Sequence, residues 1–159
     1  MVSKAIIGCQ WGDEGKGKIV DLLARDSDLI VRYQGGANAG HTVVVNRKEY
    51  KFHQVPSGLL YEDKTGLIAD GCVLDLDVFG EELNLINEKS RVFVGDRAHI
   101  VLPHHKKMDE LQEKTRKKGI GTTKRGIGPC YSQRAGRMGL RICDLNDKRI
   151  EDRIDEIYP

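Results

Sequence analysis

Cysteine, tryptophan and proline are scarce in this sequence, and none of its apolar runs is long. The four cysteines are widely separated and form no Cys-x-x-Cys pair, which argues against a zinc site and against a disulfide framework. No apolar stretch approaches the roughly 20 residues that cross a membrane, and the first residues lack the apolar segment of a signal peptide. We therefore expect a cytoplasmic protein with reduced thiols and no membrane partner.

An excess of either charge is also lacking. The 26 basic and 24 acidic residues give a net charge of +2, which is too even to indicate a nucleic-acid partner. With 159 residues, of which 39% are apolar, the chain is long enough for one hydrophobic core and short for two. We expect one domain, in which any anion is bound by local clusters of residues.

A glycine- and lysine-rich loop near the N-terminus is the most informative feature that is present. Gly12, Gly17 and Lys18 match the spacing G-x-x-x-x-G-K, between an apolar stretch at residues 5–8 and a helix-like segment at 19–23. In such a loop, glycines let backbone N–H groups approach phosphate oxygens, while a helix N-terminus and a lysine supply positive potential. The spacing predicts a site for nucleotide phosphates.

This loop departs from the usual phosphate-binding pattern in two places. Ile19 stands where a Ser or Thr hydroxyl would bind Mg²⁺, and Asp13 lies within the loop, where its charge would repel phosphate unless a metal or a protonated substrate group offsets it. The departure suggests chemistry at the loop as well as binding.

Short apolar runs and amphipathic segments predict an α/β fold. We expect an open, mostly parallel sheet of the P-loop NTPase type, with flanking helices and a β-hairpin. Strands are predicted at residues 5–8, 29–32, 42–45, 50–53, 66–69 and 92–95, and helices at 15–24, 77–87, 103–118 and 147–158. The strands are expected to form one mixed sheet.

A second small-residue loop follows the strand predicted at 29–32. Residues 34–42 combine glycines with the polar side chains of Asn38, His41 and Thr42. Ligands of open α/β sheets collect at the carboxyl ends of the strands, where this loop and the first loop both emerge. We expect the two loops to face one cavity. Residues 119–129 form a third glycine-rich segment, whose hydroxyls and cations suit a phosphate monoester.

Together and in this order, the three segments resemble the adenylosuccinate synthetase family. The similarity is carried by residues 10–18, 34–42 and 121–129, and it continues through 56–58 and 141–145. It implies a cytoplasmic homodimer that joins L-aspartate to IMP with GTP and Mg²⁺, through a 6-phosphoryl intermediate. It also implies a chain much longer than 159 residues. We therefore expect residues 1–159 to be the N-terminal part of a single GTP- and IMP-binding domain, truncated at its C-terminus and inactive alone.

The resemblance implies roles for individual residues. Asp13 would take the proton from N1 of IMP, and His41 would hydrogen-bond at the β/γ-phosphate bridge as GDP leaves. Mg²⁺ would be held by Asp13 and the carbonyl of Gly40, which accounts for Ile19 in place of a hydroxyl ligand. Arg137 would reach the IMP of the neighbouring subunit.

The implied substrate contacts are as follows. GTP would be bound by Gly12, Asp13, Glu14, Gly15, Lys16, Gly17, Lys18, Gly40, His41 and Thr42. IMP would be bound by Asp13, Glu14, Gly15, Lys16, Asn38, Ala39, Gly40, His41, Thr123 and, from the partner subunit, Arg137.

Other interpretations remain open at the level of the residues. Without the family resemblance, a histidine such as His41 is more often structural than catalytic. Arg137 would likewise be interpreted as a solvated surface cation. The chain as a whole could be a P-loop module that binds or hydrolyses GTP without IMP. It could also be a non-catalytic paralogue that acts by pairing with full-length subunits.

Overall fold

The computed structural model describes residues 3–10, 14–45, 47–116, 119–148 and 150–157. Five helices lie among seven short strands in the described ranges: α1 Lys16–Ala24, β1 Leu29–Arg32, β2 His41–Val45, β3 Lys48–Phe52, β4 Thr65–Ile68, β5 Val73–Leu74, α2 Leu76–Leu83, β6 Arg91–Val94, β7 His99–Ile100, α3 Pro103–Thr115, α4 Ile127–Ala135 and α5 Ile150–Ile157. Short 3₁₀ helices span Ser57–Leu60 and Ile142–Asn146. No helix in these ranges has the length and apolar content needed to cross a bilayer.

The central sheet is parallel and has the order β1-β4-β6. Side chains alternate across its faces, and Ile30 and Ile68 are buried on one of them. On the opposite face, exposed Val31 and Phe93 and half-buried Leu67 form a row in register across the three strands. The predicted α/β class with an open, parallel sheet is confirmed.

Two predicted features of the sheet are wrong. Residues 5–8 form no strand, and Ile7 is 71% exposed. A strand is stabilised by ladder hydrogen bonds to a neighbour, and this segment has no such neighbour among the described strands. The hairpin also does not join the parallel sheet, because β2 and β3 pair only with each other. The sheets are therefore separate rather than mixed.

The hairpin itself is confirmed, with a tighter turn than predicted. Val45 pairs with Lys48, so two residues make the connection. Arg47 has φ +65°, the left-handed conformation that two-residue hairpin turns require. The turn places His41 at one end of the hairpin, opposite Phe52.

Helix α4 is missing from the sequence prediction. Glycines at 119–128 indicate a loop, but the helix begins at Ile127 after Gly126, whose φ of +75° turns the chain into it. Cys130 of this helix packs with Val73 and Val101. The buried contact determines the helix start in spite of the low helix propensity of glycine.

The cysteines are unpaired, as predicted. Cys72 and Cys130 lie in the core, and burial raises the pKa of the Cys130 thiol to about 12. These two thiols act as small apolar side chains.

Candidate active site

The first predicted loop enters the described structure at Glu14, since Gly12 and Asp13 lie outside the described residues. Gly15 is the N-cap of α1, with φ +82°, a conformation that glycine adopts without strain. The chain then turns into the helix as Lys18 N–H donates to Gly15 O at 3.1 Å. The glycine therefore directs the first turn of α1 at the point where the motif predicts phosphate binding.

Glu14 and Lys16 form an ion pair next to this turn. The second carboxylate oxygen of Glu14, Oε2, is buried and has no hydrogen-bond partner among the described residues. Lys18, in the first turn of α1, is exposed. In its described part, from Glu14 onward, the loop thus presents two exposed lysines, of which Lys16 is paired, and one unsatisfied carboxylate oxygen.

The second predicted loop is fixed by hydrogen bonds from outside it. Arg32 at the end of β1 donates to Gly36 O at 2.7 Å and also to His53 O. Gly35 N–H donates to the hydroxyl of Tyr131 in α4 at 2.9 Å. Tyr131 in turn donates to Gly71 O at 2.8 Å. The loop is therefore connected to the sheet on one side and to α4 on the other.

Along this loop, burial changes abruptly. Ala37 is fully buried, whereas Asn38, Ala39 and Gly40 are exposed. Thr42 is exposed on the hairpin. These four residues, which are among those predicted to contact IMP and GTP, are thus accessible on a segment whose base is fixed.

His41 connects the two loops. A Cβ built on Gly17 of α1 would lie 2.9 Å from the Cβ of His41. Burial lowers the pKa of His41, and Arg32 and His53 lower it further. The imidazole is therefore neutral at pH 7 and has one N–H to donate.

Sequence reasoning missed a buried carboxylate that supports this loop. Glu82 of α2 accepts backbone N–H groups from Gln54 at 2.9 Å and Val55 at 2.8 Å, and it also accepts from His53 N–H. The His53 ring lies beside Gly40, where an added Cβ would be 3.1 Å from Nε2. The spacing of Val78, Glu82 and Ile86 was a signal, because it puts a carboxylate on the apolar face of the helix predicted at residues 77–87.

The third predicted segment lies at the N-terminal end of α4. Thr123 is exposed in the connection between α3 and α4. α4 also packs against the second loop, since a Cβ on Gly36 would lie 2.6 Å from Ile127 Cδ1. The second and third predicted segments are therefore neighbours in the fold.

Arg137 lies apart from Thr123. α4 separates them, and its nine residues span about 13 Å. Arg137 borders a cavity of about 350 Å³ whose other lining residues are Gln133, Met138, Arg153, Glu156 and Ile157. Within one chain, Thr123 and Arg137 therefore lie beyond opposite ends of α4.

A larger cavity, of about 660 Å³, lies beside the second loop. Gln34, Gly35, Tyr131 and Arg134 are among its lining residues, and none of the residues predicted to bind substrates lines it. It is therefore separate from the surface that Gly17 and His41 define.

The metal prediction rests on oxygen donors. The described residues contain no group of three or more His, Cys, Asp or Glu side chains placed to bind a metal. Asp13 lies outside these residues, and Gly40 is exposed with its carbonyl on the second loop. Glu14, next to Asp13 in sequence, has a carboxylate oxygen without a hydrogen-bond partner among the described residues. Carboxylate and carbonyl oxygens are the donors that Mg²⁺ takes, so the donor set fits this ion.

Comparisons with known proteins point to one family. The sequence profile of "Adenylosuccinate synthetase" matches residues 5–159. The chain is 53% identical to an adenylosuccinate synthetase from Acetivibrio thermocellus over 153 residues, covering 93% of this chain and 36% of the relative. It is 54% identical to one from Aquifex aeolicus over 160 residues, covering 94% of this chain and 37% of the relative.

Solved structures agree. A fully ligated adenylosuccinate synthetase from Plasmodium falciparum superposes with a TM-score of 0.89 at 41% identity, covering 95% of this chain and 37% of that one. The succinoaminodeoxyadenylate synthetase of Cyanophage S-2L, bound to dGMP and dATP, superposes with a TM-score of 0.70. At 23% identity, over 91% of this chain and 40% of that one, the phage protein shows likeness of fold alone. This chain spans a little over a third of the length of the relatives it matches, and with its profile match from residue 5 to residue 159 it belongs to the adenylosuccinate synthetase family.

Proposed function

We propose that the protein to which this chain belongs ligates L-aspartate to IMP, using GTP and Mg²⁺ and forming adenylosuccinate, GDP and phosphate. The observation that carries the proposal is the contact between Gly17 of the first loop and His41 of the second. It joins the two predicted nucleotide loops on one surface of a chain that belongs to this family. The proposed enzyme is a carbon–nitrogen ligase of AMP synthesis.

The first step transfers phosphate. Asp13 accepts the proton of IMP N1, the 6-oxygen attacks the γ-phosphorus of GTP, and the bond to the β/γ-bridging oxygen breaks as GDP leaves. The neutral imidazole of His41 donates its N–H to that bridging oxygen as negative charge builds up on it. Backbone N–H groups at Gly15 and Gly17, together with Lys18, bind the triphosphate.

The second step forms the carbon–nitrogen bond. The amine of aspartate attacks C6 of the 6-phosphoryl intermediate and gives up one proton, the C6–O bond breaks, and inorganic phosphate leaves with the bonding electron pair. Lys16 and Asn38 orient the base of IMP, and Thr123 binds its 5′-phosphate. Lys16 must exchange its ion pair with Glu14 for the substrate, since the two side chains are paired in the structure.

Mg²⁺, held by Asp13 and the Gly40 carbonyl, would offset the negative charge of the triphosphate beside the Asp13 carboxylate. The exposed position of Gly40 keeps that carbonyl accessible. Glu14 and Ala39, which are next in sequence to the proposed metal ligands Asp13 and Gly40, are also proposed to contact substrate.

The subunit arrangement and location are part of the same proposal. The enzyme would be a cytoplasmic homodimer in which the guanidinium of Arg137 binds the IMP phosphate of the partner's site. That residues 1–159 form one part of a longer GTP- and IMP-binding domain remains a prediction.

The test measures the loss of IMP with the product of the complete reading frame that encodes this chain. We expect loss that requires GTP, aspartate and Mg²⁺ together and disappears in His41→Asn. Residues 1–159 alone should bind nucleotide weakly and show no turnover. GTP hydrolysis that ignores added IMP would instead indicate a P-loop hydrolase and would overturn the proposal. An effect of residues 1–159 on an intact relative's rate, without turnover by the complete product, would indicate a non-catalytic paralogue.

A further inference from the structure

The connection between α3 and α4 has a conformation that its own sequence does not favour. Along residues 119–126, called here the 119–126 loop, φ is +77° at Gly121, +57° at Lys124 and +75° at Gly126. The left-handed conformation is open to glycine, but it is uncommon for a lysine. Contacts from outside the loop must therefore stabilise it.

Glu113, in the last turn of α3, supplies contacts at the start of the loop. Its Oε1 accepts the N–H of Gly121 at 2.7 Å, and its Oε2 accepts the N–H of Ile120 at 3.2 Å. The N–H of Gly121, and to a smaller degree those of Ile120 and Thr122, hold the pKa of Glu113 below its usual value. The carboxylate is therefore charged at neutral pH and binds two adjacent amides.

Asp109, one turn earlier in α3, fixes the end of the loop. Its Oδ2 accepts the N–H of Gly126 at 3.0 Å, and its side chain is buried. Gly126 lies so close to α3 that an added Cβ would be 2.7 Å from the backbone nitrogen of Lys106. Residues four apart share a helix face, so the two carboxylates contact both ends of the loop from one surface.

Only residues 122–125 lie between these two attachments. Thr123 and Lys124 are exposed there, and the carboxylates already occupy the N–H groups of Ile120, Gly121 and Gly126. An incoming anion would be repelled from the two carboxylates and would meet the hydroxyl and cations of the middle segment. The attachments therefore determine which part of the loop can receive phosphate.

We propose that Asp109 and Glu113 are positioning residues for the 5′-phosphate of the purine monophosphate: they fix the two ends of the 119–126 loop so that Thr123 is presented to it. The inference rests on the proposed function, in which Thr123 binds that phosphate. Neither carboxylate touches the substrate. Their loss therefore weakens binding of IMP and leaves phosphoryl transfer and amine attack unchanged.

The experiment compares variants of the complete reading-frame product. In Glu113→Ala, we expect KM for IMP to rise about tenfold while kcat stays within about twofold, since a charge-assisted pair of hydrogen bonds is lost. Glu113→Gln keeps an acceptor oxygen and should lie between Glu113→Ala and the unchanged protein. Glu110→Ala is the matched control, because Glu110 lies on the same helix and accepts a hydrogen bond from Lys114 at 2.7 Å, whereas Glu113 accepts backbone N–H groups of the loop. It should leave KM unchanged.

A second readout follows the loop without substrate. Amide hydrogen exchange at Gly121 should be faster in Glu113→Ala than in Glu110→Ala, and exchange at Gly126 should be faster in Asp109→Asn. Asp109 is buried and its variant could fail to fold. In that case Glu113→Ala alone provides the test, through KM for IMP and amide exchange at Gly121.

The outcomes separate this inference from the proposed function. If the unchanged protein converts IMP and Glu113→Ala leaves KM for IMP unaltered, the inference is wrong and the proposed function stands. A fall in kcat at constant KM also contradicts it, because that would place Glu113 in the chemistry. If the unchanged protein does not convert IMP, the proposed function is wrong and the inference fails with it.

Discussion

Gly17 of α1 and His41 of β2 pack so closely that a Cβ on the glycine would lie 2.9 Å from the Cβ of the histidine. A Cβ atom is fixed to the backbone, so rotation of a flexible side chain cannot relieve this contact. The proximity of α1 and β2 at this point thus requires glycine.

Gly17→Ala should therefore move the two loops apart. Alanine in a helix normally stabilises it by about 0.5–1 kcal/mol relative to glycine. At position 17 we expect this gain to be lost to the clash, and nucleotide binding to weaken. Gly80→Ala in α2 is the matched control, because an added Cβ there meets no atom within 4 Å.

Thermal unfolding and titration with a GTP analogue check this prediction. Gly80→Ala should raise the midpoint by about 1–4 °C and leave binding unchanged. A similar stabilisation with unaltered binding in Gly17→Ala would show that the contact with His41 has no consequence for the loops.

Glu82 provides a prediction about stability. It is 3% exposed and accepts consecutive backbone N–H groups from residues 53–55. Glu82→Ala should lower the free energy of unfolding by about 3–5 kcal/mol, because buried donors lose a charged acceptor. Urea unfolding measures the loss.

Glu81, the neighbour of Glu82, is exposed and provides the control. The free energy of unfolding of Glu81→Ala should stay within about 0.5 kcal/mol of that of the unchanged chain. Equal losses in the two variants would contradict the assignment.

A third prediction concerns pH. His105 is fully buried, its Nδ1 accepts Leu102 N–H at 2.9 Å and its Nε2–H donates to Gln133 Oε1 at 2.7 Å. Burial lowers the pKa of His105, and the same cause lowers the pKa values of His41 and His99.

The direction in which folding stability changes with pH follows from proton binding. The unfolded histidines bind protons near pH 6.5, whereas the folded ones bind them at lower pH. Between these values the unfolded chain holds more protons, so the stabilisation is complete above about pH 6.5 and is lost as pH falls. Urea unfolding from pH 7.5 to 5 should show this decrease, with a shallower slope in His105→Gln. An unchanged slope would mean that His105 does not titrate differently on folding.

Local patterns were sufficient for much of the fold. The spacing of apolar residues located α1, the hairpin and the helices α2, α3 and α5. It could not locate β5 and β7, because strands of two residues carry no period. Nor could it show that residues 5–8 form no ladder, since pairing depends on which neighbour is present.

Site residues could be predicted from the sequence where glycines and charges recur at fixed spacing. Contacts between residues far apart in the sequence could not be predicted. Gly17 and His41 were identified from their loops, but their contact depends on how α1 packs against the hairpin. The bonds from Glu82 to the chain at 53–55 join segments that are almost 30 residues apart. Asp13 lies outside the described residues, so its role remains a prediction.

Arg137 offers a way to separate folding from substrate binding. Its φ of +61° is strained for arginine and free for glycine, so Arg137→Gly should not lower the unfolding midpoint. The same change removes the guanidinium proposed to bind the phosphate of IMP, and KM for IMP should rise about tenfold or more. Arg137→Lys keeps the charge but not the planar pair of donors, and it should recover only part of the affinity.

Mixed dimers then test whether the arginine acts across subunits. If it does, mixing Arg137→Gly with Thr123→Ala produces dimers in which one site has an intact threonine from its own chain and an intact arginine from the other. Random mixing gives half mixed dimers with one good site each, so about a quarter of the unchanged activity should return. If Arg137 acted within its own chain, every site in the mixture would lack one of the two groups and activity would stay at the level of the separate variants. A recovered rate that rises with mixing time and saturates near a quarter would therefore require a shared site.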